Sequence, residues 1–206
     1  AGDFNRKRGQ DHEADGQRIP VGAGALLCLG PVRLVGATIP NGRAPYHLVM
    51  PAPRLITLDL DDTLWPVVPT LVAAEEALSR WLAEQAPATV ARFDQATMRD
   101  MRTALARERQ DLVHDMNWLR TESLRRALVA AGDDPALAEQ GFQVFYEARQ
   151  RVRFFADVLP VLERWSRDRP LIAISNGNAD VDRVGLGHLF SAAISAHQVG
   201  FATPDP

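Results

Sequence analysis

Two aspartates follow a short apolar run near residue 60, and their spacing suggests chemistry. Leu55–Leu58 reads as a buried strand, and Asp59 and Asp61 lie two residues apart where it ends. Two neighbouring carboxylates can bind a hard divalent cation. Alternatively, one can act as a nucleophile while the other gives and takes a proton. The same residues could instead form an acidic turn in which Asp61 or Asp62 caps a helix. Taken alone, this segment leaves both interpretations open.

A second polar turn follows another apolar run. Leu171–Ile174 predicts a second buried strand, and it ends at Ser175, Asn176, Gly177 and Asn178. The Ser175 hydroxyl and the following backbone N–H groups could cradle a phosphate. As a lone feature, such a turn is more often an ordinary loop between a strand and a helix.

The elements that must position these two turns follow an α/β pattern. Helical segments are predicted between the strands, and a third strand is predicted at Ala192–Ser195. The features that bound the helices are an apolar face from Leu71 to Leu82, a cap at Asp94, a stop at Gly132, a start at Pro135 for a helix reaching Val152, and a cap at Asp157. The carboxyl ends of parallel strands meet at one edge of a sheet, where ligands bind. We therefore expect the two polar turns to lie together.

Together the two segments resemble the haloacid dehalogenase superfamily. Asp59, Asp61 and Thr63 match its first motif, Asp-x-Asp-x-Thr after an apolar strand, and Ser175 matches its second. The resemblance implies a Rossmann-like parallel sheet at residues 50–65 and 157–206, with a helical cap inserted at 66–156. Within the superfamily, three short segments look like the riboflavin-pathway phosphatases, which act on FMN and on a ribitylaminouracil phosphate. The segments are the turn at 174–179, the run at 185–190, and His114-Asp115 with Trp118.

The resemblance also implies a mechanism and a cofactor. Asp59 would attack phosphorus, and Asp61 would protonate the leaving alcohol and then activate water. The Asp59 carboxylate and the Asp61 carbonyl would hold Mg²⁺, while Thr63 would steady the loop and Ser175 and Asn176 would bind the phosphoryl oxygens. The family's dehalogenases lack an acid at the second position, so Asp61 favours a phosphate ester over a haloacid as the substrate.

The chain departs from the family pattern near its end. Thr203, before Pro204-Asp205-Pro206, stands where the third motif has a lysine, and the chain's one lysine is Lys7. The fourth motif, an acidic pair that completes the Mg²⁺ site, is expected beyond Pro206, so the core is expected to be incomplete at its C-terminus. The alternative function is thus an inactive fragment or remnant that at most binds phosphate or a partner.

Composition excludes several other classes of protein. The 206 residues carry a net charge of −3, which disfavours a nucleic-acid binder, and the longest apolar run, residues 19–32, is too short and too broken by glycine to span a membrane. The single cysteine, Cys28, excludes an internal disulfide and fits a cytoplasmic protein. Residues 1–49 are rich in glycine and proline, and we expect them to be an unstructured or non-native extension. The expected partner is a small phosphate ester.

Aromatic and arginine residues of the helical region leave further questions open. Trp65 and Trp118 could stack on a substrate ring or pack between cap and core. Nine arginines decorate the helices, and a solvated helical face is expected for them: Arg102, Arg107, Arg109, Arg120, Arg125, Arg126, Arg149, Arg151 and Arg153.

Overall fold

The computed structural model describes Ala25–Leu26 and residues 53–200. The expectation that residues 1–49 lie outside the fold therefore falls mostly outside the described residues. Within that stretch, Ala25–Leu26 forms a short strand of the sheet. The substitution of Thr203 for the expected lysine also lies outside the described residues.

The sheet has four strands in the order β1 (Ala25–Leu26), β2 (Ile56–Leu58), β3 (Leu171–Ser175) and β4 (Ala192–Ser195). The β2–β3 and β3–β4 pairs are parallel, as the α/β pattern predicts, whereas β1 pairs antiparallel with β2. Leu58 lies beside Ala173, so the chain leaves β2 and β3 at the same edge of the sheet. This register brings the two polar turns together.

The described part of the chain contains seven α-helices. Six lie between β2 and β3, the last of them leading into β3, and a short seventh follows β4. Their bounds are α1 (Val67–Gln85), α2 (Pro87–Arg92), α3 (Gln95–Glu108), α4 (Met116–Ala131), α5 (Leu137–Arg149), α6 (Val158–Asp168) and α7 (Ala196–Val199).

Local signals account for several helix ends. The Asp94 carboxylate accepts a hydrogen bond of 2.7 Å from the Thr97 N–H at the start of α3, which confirms the predicted cap. Gly132 ends α4 with φ of 87°, a left-handed conformation that suits glycine. Three details differ from expectation: α2 was not predicted, α5 ends at Arg149 rather than reaching Val152, and Asp157 precedes α6 without making a side-chain cap bond.

Two separate apolar clusters stabilise the described residues. One belongs to the inserted helices, α1 to α5, and includes Leu78, Leu82, Leu128 and Phe145. The other lies against the sheet and includes residues from β2, β3 and α6. The inserted helices therefore have a core of their own, distinct from that of the sheet. No helix in the described residues is long and apolar enough to cross a membrane.

Candidate active site

The turn after β2 is tightly wound. The Leu64 N–H donates to the Leu60 carbonyl at 2.8 Å, and the Asp62 N–H donates to the Trp65 carbonyl at 2.8 Å. Asp62 has φ of 55°, a left-handed conformation that is uncommon without glycine but more readily adopted by Asp. Its carboxylate accepts a hydrogen bond of 2.9 Å from the Val67 N–H at the start of α1. Asp62 thus binds the first N–H of α1, although Pro66 occupies the N-cap position, and Asp59 and Asp61 are left for other roles.

Asp61 is held in place by donors from two sides. Arg149 Nη2, at the end of α5, lies 2.5 Å and 2.6 Å from the two carboxylate oxygens. Trp65 Nε1 donates to Oδ1 at 2.9 Å. These contacts fix the carboxylate's orientation, and they join the turn after β2 to a helix 88 residues further along the chain.

Asp59 directly follows β2, and its side chain is exposed. Partial desolvation by surrounding protein atoms raises the pKa of its carboxyl above 3.8, and the nearby Asp61 and Asp62 carboxylates raise it further. A hydrogen bond with the Leu60 backbone acts in the opposite direction. Asp59 therefore sits in a locally negative environment while remaining open to an incoming molecule.

The turn after β3 packs directly against Asp61. Ser175 is buried, and its Oγ accepts a hydrogen bond of 3.0 Å from the Gly177 N–H. A Cβ added to Gly177 would lie 2.5 Å from Asp61 Oδ2, so the carboxylate occupies the space that any other residue's side chain would need. Glycine at position 177 thus permits the close approach of the two polar turns.

The other predicted phosphate-binding residues differ in exposure. Asn176 is exposed and lines the pocket beneath the inserted helices. Ser175 lines a different pocket of about 440 Å³ beside β4. Thr63 is buried within the turn after β2, where its N–H donates to the Leu60 carbonyl at 3.3 Å.

The inserted helices and the residue after α5 also form hydrogen bonds with the turn after β3. Gln150 Nε2 donates to the Asn178 carbonyl at 3.2 Å, and Gln150 Oε1 accepts from the Asp180 N–H at 2.9 Å. Asn178 Nδ2 donates to Asn117 Oδ1, near the start of α4, at 2.9 Å. The adjacent residues Arg149 and Gln150 therefore contact both polar turns.

A pocket of about 650 Å³ opens between the inserted helices and the two turns. Its apolar lining comes largely from α1, and its arginines come from α3, α4 and α5. Its lining residues are Asp61, Val67, Val68, Leu71, Val72, Glu75, Gln95, Arg99, Arg102, Met116, Arg120, Phe145, Arg149, Asn176, Gly177 and Asn178. Its volume is that of a typical small-molecule site.

Two of the nine arginines expected on a solvated face are buried, which makes that expectation wrong for Arg120 and Arg149. Arg120 Nη1 pairs with Glu75 at 2.7 Å, and its guanidinium lies over the Phe145 ring. Burial, together with the nearby charge of Arg102, lowers the pKa of Arg120 to about 10. A sequence signal did exist for Arg149, since it follows Phe145 by four residues on the buried face of α5.

Trp65 and Trp118 both contact neighbouring side chains. Trp65 is fully buried in the cluster against the sheet, with its ring centroid 5.9 Å from that of Phe154. The Arg109 guanidinium lies 5.1 Å from the Trp118 ring centroid. The structure therefore favours packing over substrate stacking for Trp65.

The donors beside Asp59 are of the type that Mg²⁺ binds. The Asp59 carboxylate is exposed, and the Asp61 backbone carbonyl, the second ligand that the family resemblance implies, belongs to the same turn. Within residues 53–200 and Ala25–Leu26, no group of three or more His, Cys, Asp or Glu residues is placed to hold a metal ion. Mg²⁺ commonly keeps several waters, so two hard oxygen donors fit it as partial ligands.

Comparison with known proteins places this arrangement among hydrolases. The model of the haloacid dehalogenase-like hydrolase family matches residues 53–206. The 5-amino-6-(5-phospho-D-ribitylamino)uracil phosphatase YigB of Escherichia coli K12 is 28% identical, over 72% of this chain and 64% of its own length. The phosphoserine phosphatase of Thermus thermophilus is 26% identical, over 74% of this chain and 72% of its own length.

A solved structure adds a neighbour with a different chemistry. The crystal structure of 2-haloacid dehalogenase from Pseudomonas syringae pv. tomato DC3000 is 41% identical, with a TM-score of 0.68, over 73% of this chain and 66% of that one. The chain thus spans about two thirds of the length of the E. coli phosphatase and of this dehalogenase.

Proposed function

Since this chain belongs to the haloacid dehalogenase-like hydrolases, we propose that it is a Mg²⁺-dependent phosphomonoesterase acting on a small phosphate ester. The observation that carries the proposal is the contact between the two polar turns, in which the Asp61 carboxylate fills the space beside Gly177. The similarity to two phosphatases supports the same reaction class.

The proposed chemistry begins at Asp59. Its exposed carboxylate would attack phosphorus in line with the leaving alcohol and form an aspartyl-phosphate. Because the Ser175 Oγ accepts a hydrogen bond from the Gly177 N–H, the Ser175 hydroxyl proton is left to donate to a phosphoryl oxygen, and the Asn176 backbone would bind a second. Mg²⁺, bound by the Asp59 carboxylate and the Asp61 carbonyl, would offset negative charge on the phosphoryl group.

Asp61 would serve the proton steps. In its protonated form Asp61 would give a proton to the leaving oxygen, and the resulting carboxylate would then take one from the water that hydrolyses the aspartyl-phosphate. Arg149 and Trp65 fix the orientation of the Asp61 carboxylate, so its distance from the Asp59 carboxylate would stay the same during both steps. Thr63, buried within the turn, would steady the backbone that carries both aspartates.

A second candidate activity is hydrolytic dehalogenation of a 2-haloacid. The 41% identity to the Pseudomonas dehalogenase favours it. In that reaction Asp59 would displace the halide from carbon, and water would hydrolyse the resulting ester. A halide leaves without a proton, so this chemistry makes no use of Asp61 as an acid.

The two activities respond differently to substitution at Asp61. Phosphate release from 4-nitrophenyl phosphate with Mg²⁺, and halide release from 2-chloropropionate, are measured for the wild type, Asp59→Asn and Asp61→Asn. We expect the wild type to release phosphate, and we expect each substitution to lower the rate of that release by at least about a hundredfold. Halide release that tolerates Asp61→Asn would instead establish the dehalogenase. Release of neither product would favour the non-catalytic alternative.

A further inference from the structure

One nitrogen of the buried Arg149 guanidinium has no hydrogen-bond partner among the described residues. The side chain is 1% exposed, and Nη2 holds both oxygens of Asp61, while the buried Nη1 contacts no acceptor. A buried cationic donor without an acceptor is costly, and such groups are rare in folded proteins. An acceptor from a bound molecule would satisfy Nη1.

The pocket that Arg149 lines carries excess positive charge. Its lining includes four guanidiniums but only two carboxylates, Asp61 and Glu75. Glu75 Oε1 is shared by Arg102, at 3.3 Å, and Arg120, at 2.7 Å, so one carboxylate serves two cations. The lining also includes apolar side chains of α1, among them Val68 and Leu71. The pocket therefore suits an anion joined to a carbon skeleton.

The position of this pocket identifies which part of a substrate it holds. If Asp61 protonates the leaving oxygen, the leaving alcohol must lie in the pocket that Asp61 lines, so the inference rests on the proposed function. We infer that the alcohol half of the substrate carries a second anionic group, a carboxylate or a second phosphate, and that Arg149 Nη1 binds it. Arg149 then spans the acid and the substrate, holding Asp61 with one nitrogen and the second anion with the other.

The experiment compares two esters that differ in this anion alone. 3-Phosphoglycerate carries a carboxylate where glycerol 3-phosphate carries a hydroxymethyl group. Binding of each is measured by calorimetry with Mg²⁺ on the Asp59→Asn protein, which keeps Asp61 and Arg149. We expect 3-phosphoglycerate to bind at least about tenfold more tightly, as a charge-assisted hydrogen bond allows. In the wild type, kcat/KM should favour it by a similar factor.

Substitution then tests whether Arg149 is the source of the preference. Arg149→Met in the Asp59→Asn background should reduce the ratio of the two dissociation constants to within about twofold of unity. The control is Arg151→Met, two residues along, whose exposed side chain lies outside this pocket. It should leave the ratio unchanged. The comparison is repeated with Asp61→Asn added, so that loss of the guanidinium leaves no unpaired carboxylate; a merely structural role for Arg149 would then preserve the ratio.

Each outcome bears on one proposal or the other. Equal binding of the two esters to the Asp59→Asn protein, or tighter binding of glycerol 3-phosphate, overturns the inference even if Arg149→Met does not fold. A preference that survives Arg149→Met overturns the assignment to Arg149. Failure of the wild type to hydrolyse 4-nitrophenyl phosphate overturns the proposed function, whereas the binding preference is measured without turnover.

Discussion

The contact between Gly177 and Asp61 gives a sharp prediction for Gly177→Ala. The new Cβ would lie 2.5 Å from Asp61 Oδ2, whereas ordinary contact begins at 3.4 Å, so about 0.9 Å must be recovered by movement. Asp61 is held by Arg149 and Trp65, so either these bonds stretch or the turn after β3 retreats. A misplacement of about 1 Å at a reacting group costs about a hundredfold in rate. We expect that loss in kcat for 4-nitrophenyl phosphate.

A matched control separates geometry from stability. Gly132→Ala places a Cβ in open space but at φ of 87°, so it should cost about 1 kcal/mol of unfolding free energy and leave kcat unchanged. Urea denaturation of both variants gives the stabilities. If Gly177→Ala keeps kcat within about threefold of the wild type, the carboxylate is not confined as the structure describes.

A double substitution tests the cause directly. In an Asp61→Ala background the carboxylate that meets the new Cβ is gone, so Gly177→Ala should reduce the residual rate by less than about twofold. An equal hundredfold loss in both backgrounds would show that Gly177→Ala acts on the phosphate-binding turn and not through Asp61.

Two further predictions concern single hydrogen bonds. Trp65→Phe removes the Nε1 donor 2.9 Å from Asp61, and we expect kcat to fall about tenfold with KM nearly unchanged, as steady-state kinetics would reveal; an unchanged kcat would show that Arg149 alone positions the acid. Asp94→Ala removes the α3 cap. Hydrogen bonds from Thr97 lower the pKa of the Asp94 carboxyl below 3.8, so its stabilisation is present above pH 3.8 and is lost as the pH falls through the folded-state pKa. The difference in Tm between wild type and Asp94→Ala should shrink below pH 3.8, and a constant difference would contradict the cap's charge dependence.

Sequence patterns predicted the elements whose signals are local. The apolar face of α1, the Asp94 cap and the Gly132 stop each depend on residues within a few positions, and the structure confirms them. The strand Ala192–Ser195 was predicted with its exact bounds. Such signals survive tertiary packing because they act within one turn or one strand.

Arg149 shows what local patterns could predict only in part: its helical spacing from Phe145 indicates the buried face of α5, but not the group that its charge contacts. It is the only arginine of α5, and an arginine at the end of a helix is usually solvated. Its burial depends on the turn carrying Asp61, which only the folded chain brings beside α5. The antiparallel pairing of Ala25–Leu26 is likewise long-range, because nothing in those two residues specifies β2 as their partner.

The hydrogen bond between the Asp180 N–H and Gln150 gives the protein a built-in reporter for amide hydrogen exchange. The Asp180 N–H donates to the Gln150 side chain at the end of the helical insertion, whereas the Gly177 N–H donates to Ser175 within its own turn. Withdrawal of the helices from the sheet would expose the Asp180 amide to deuterium and leave the Gly177 bond intact. The ratio of the two exchange rates would therefore measure how often the inserted helices separate from the sheet.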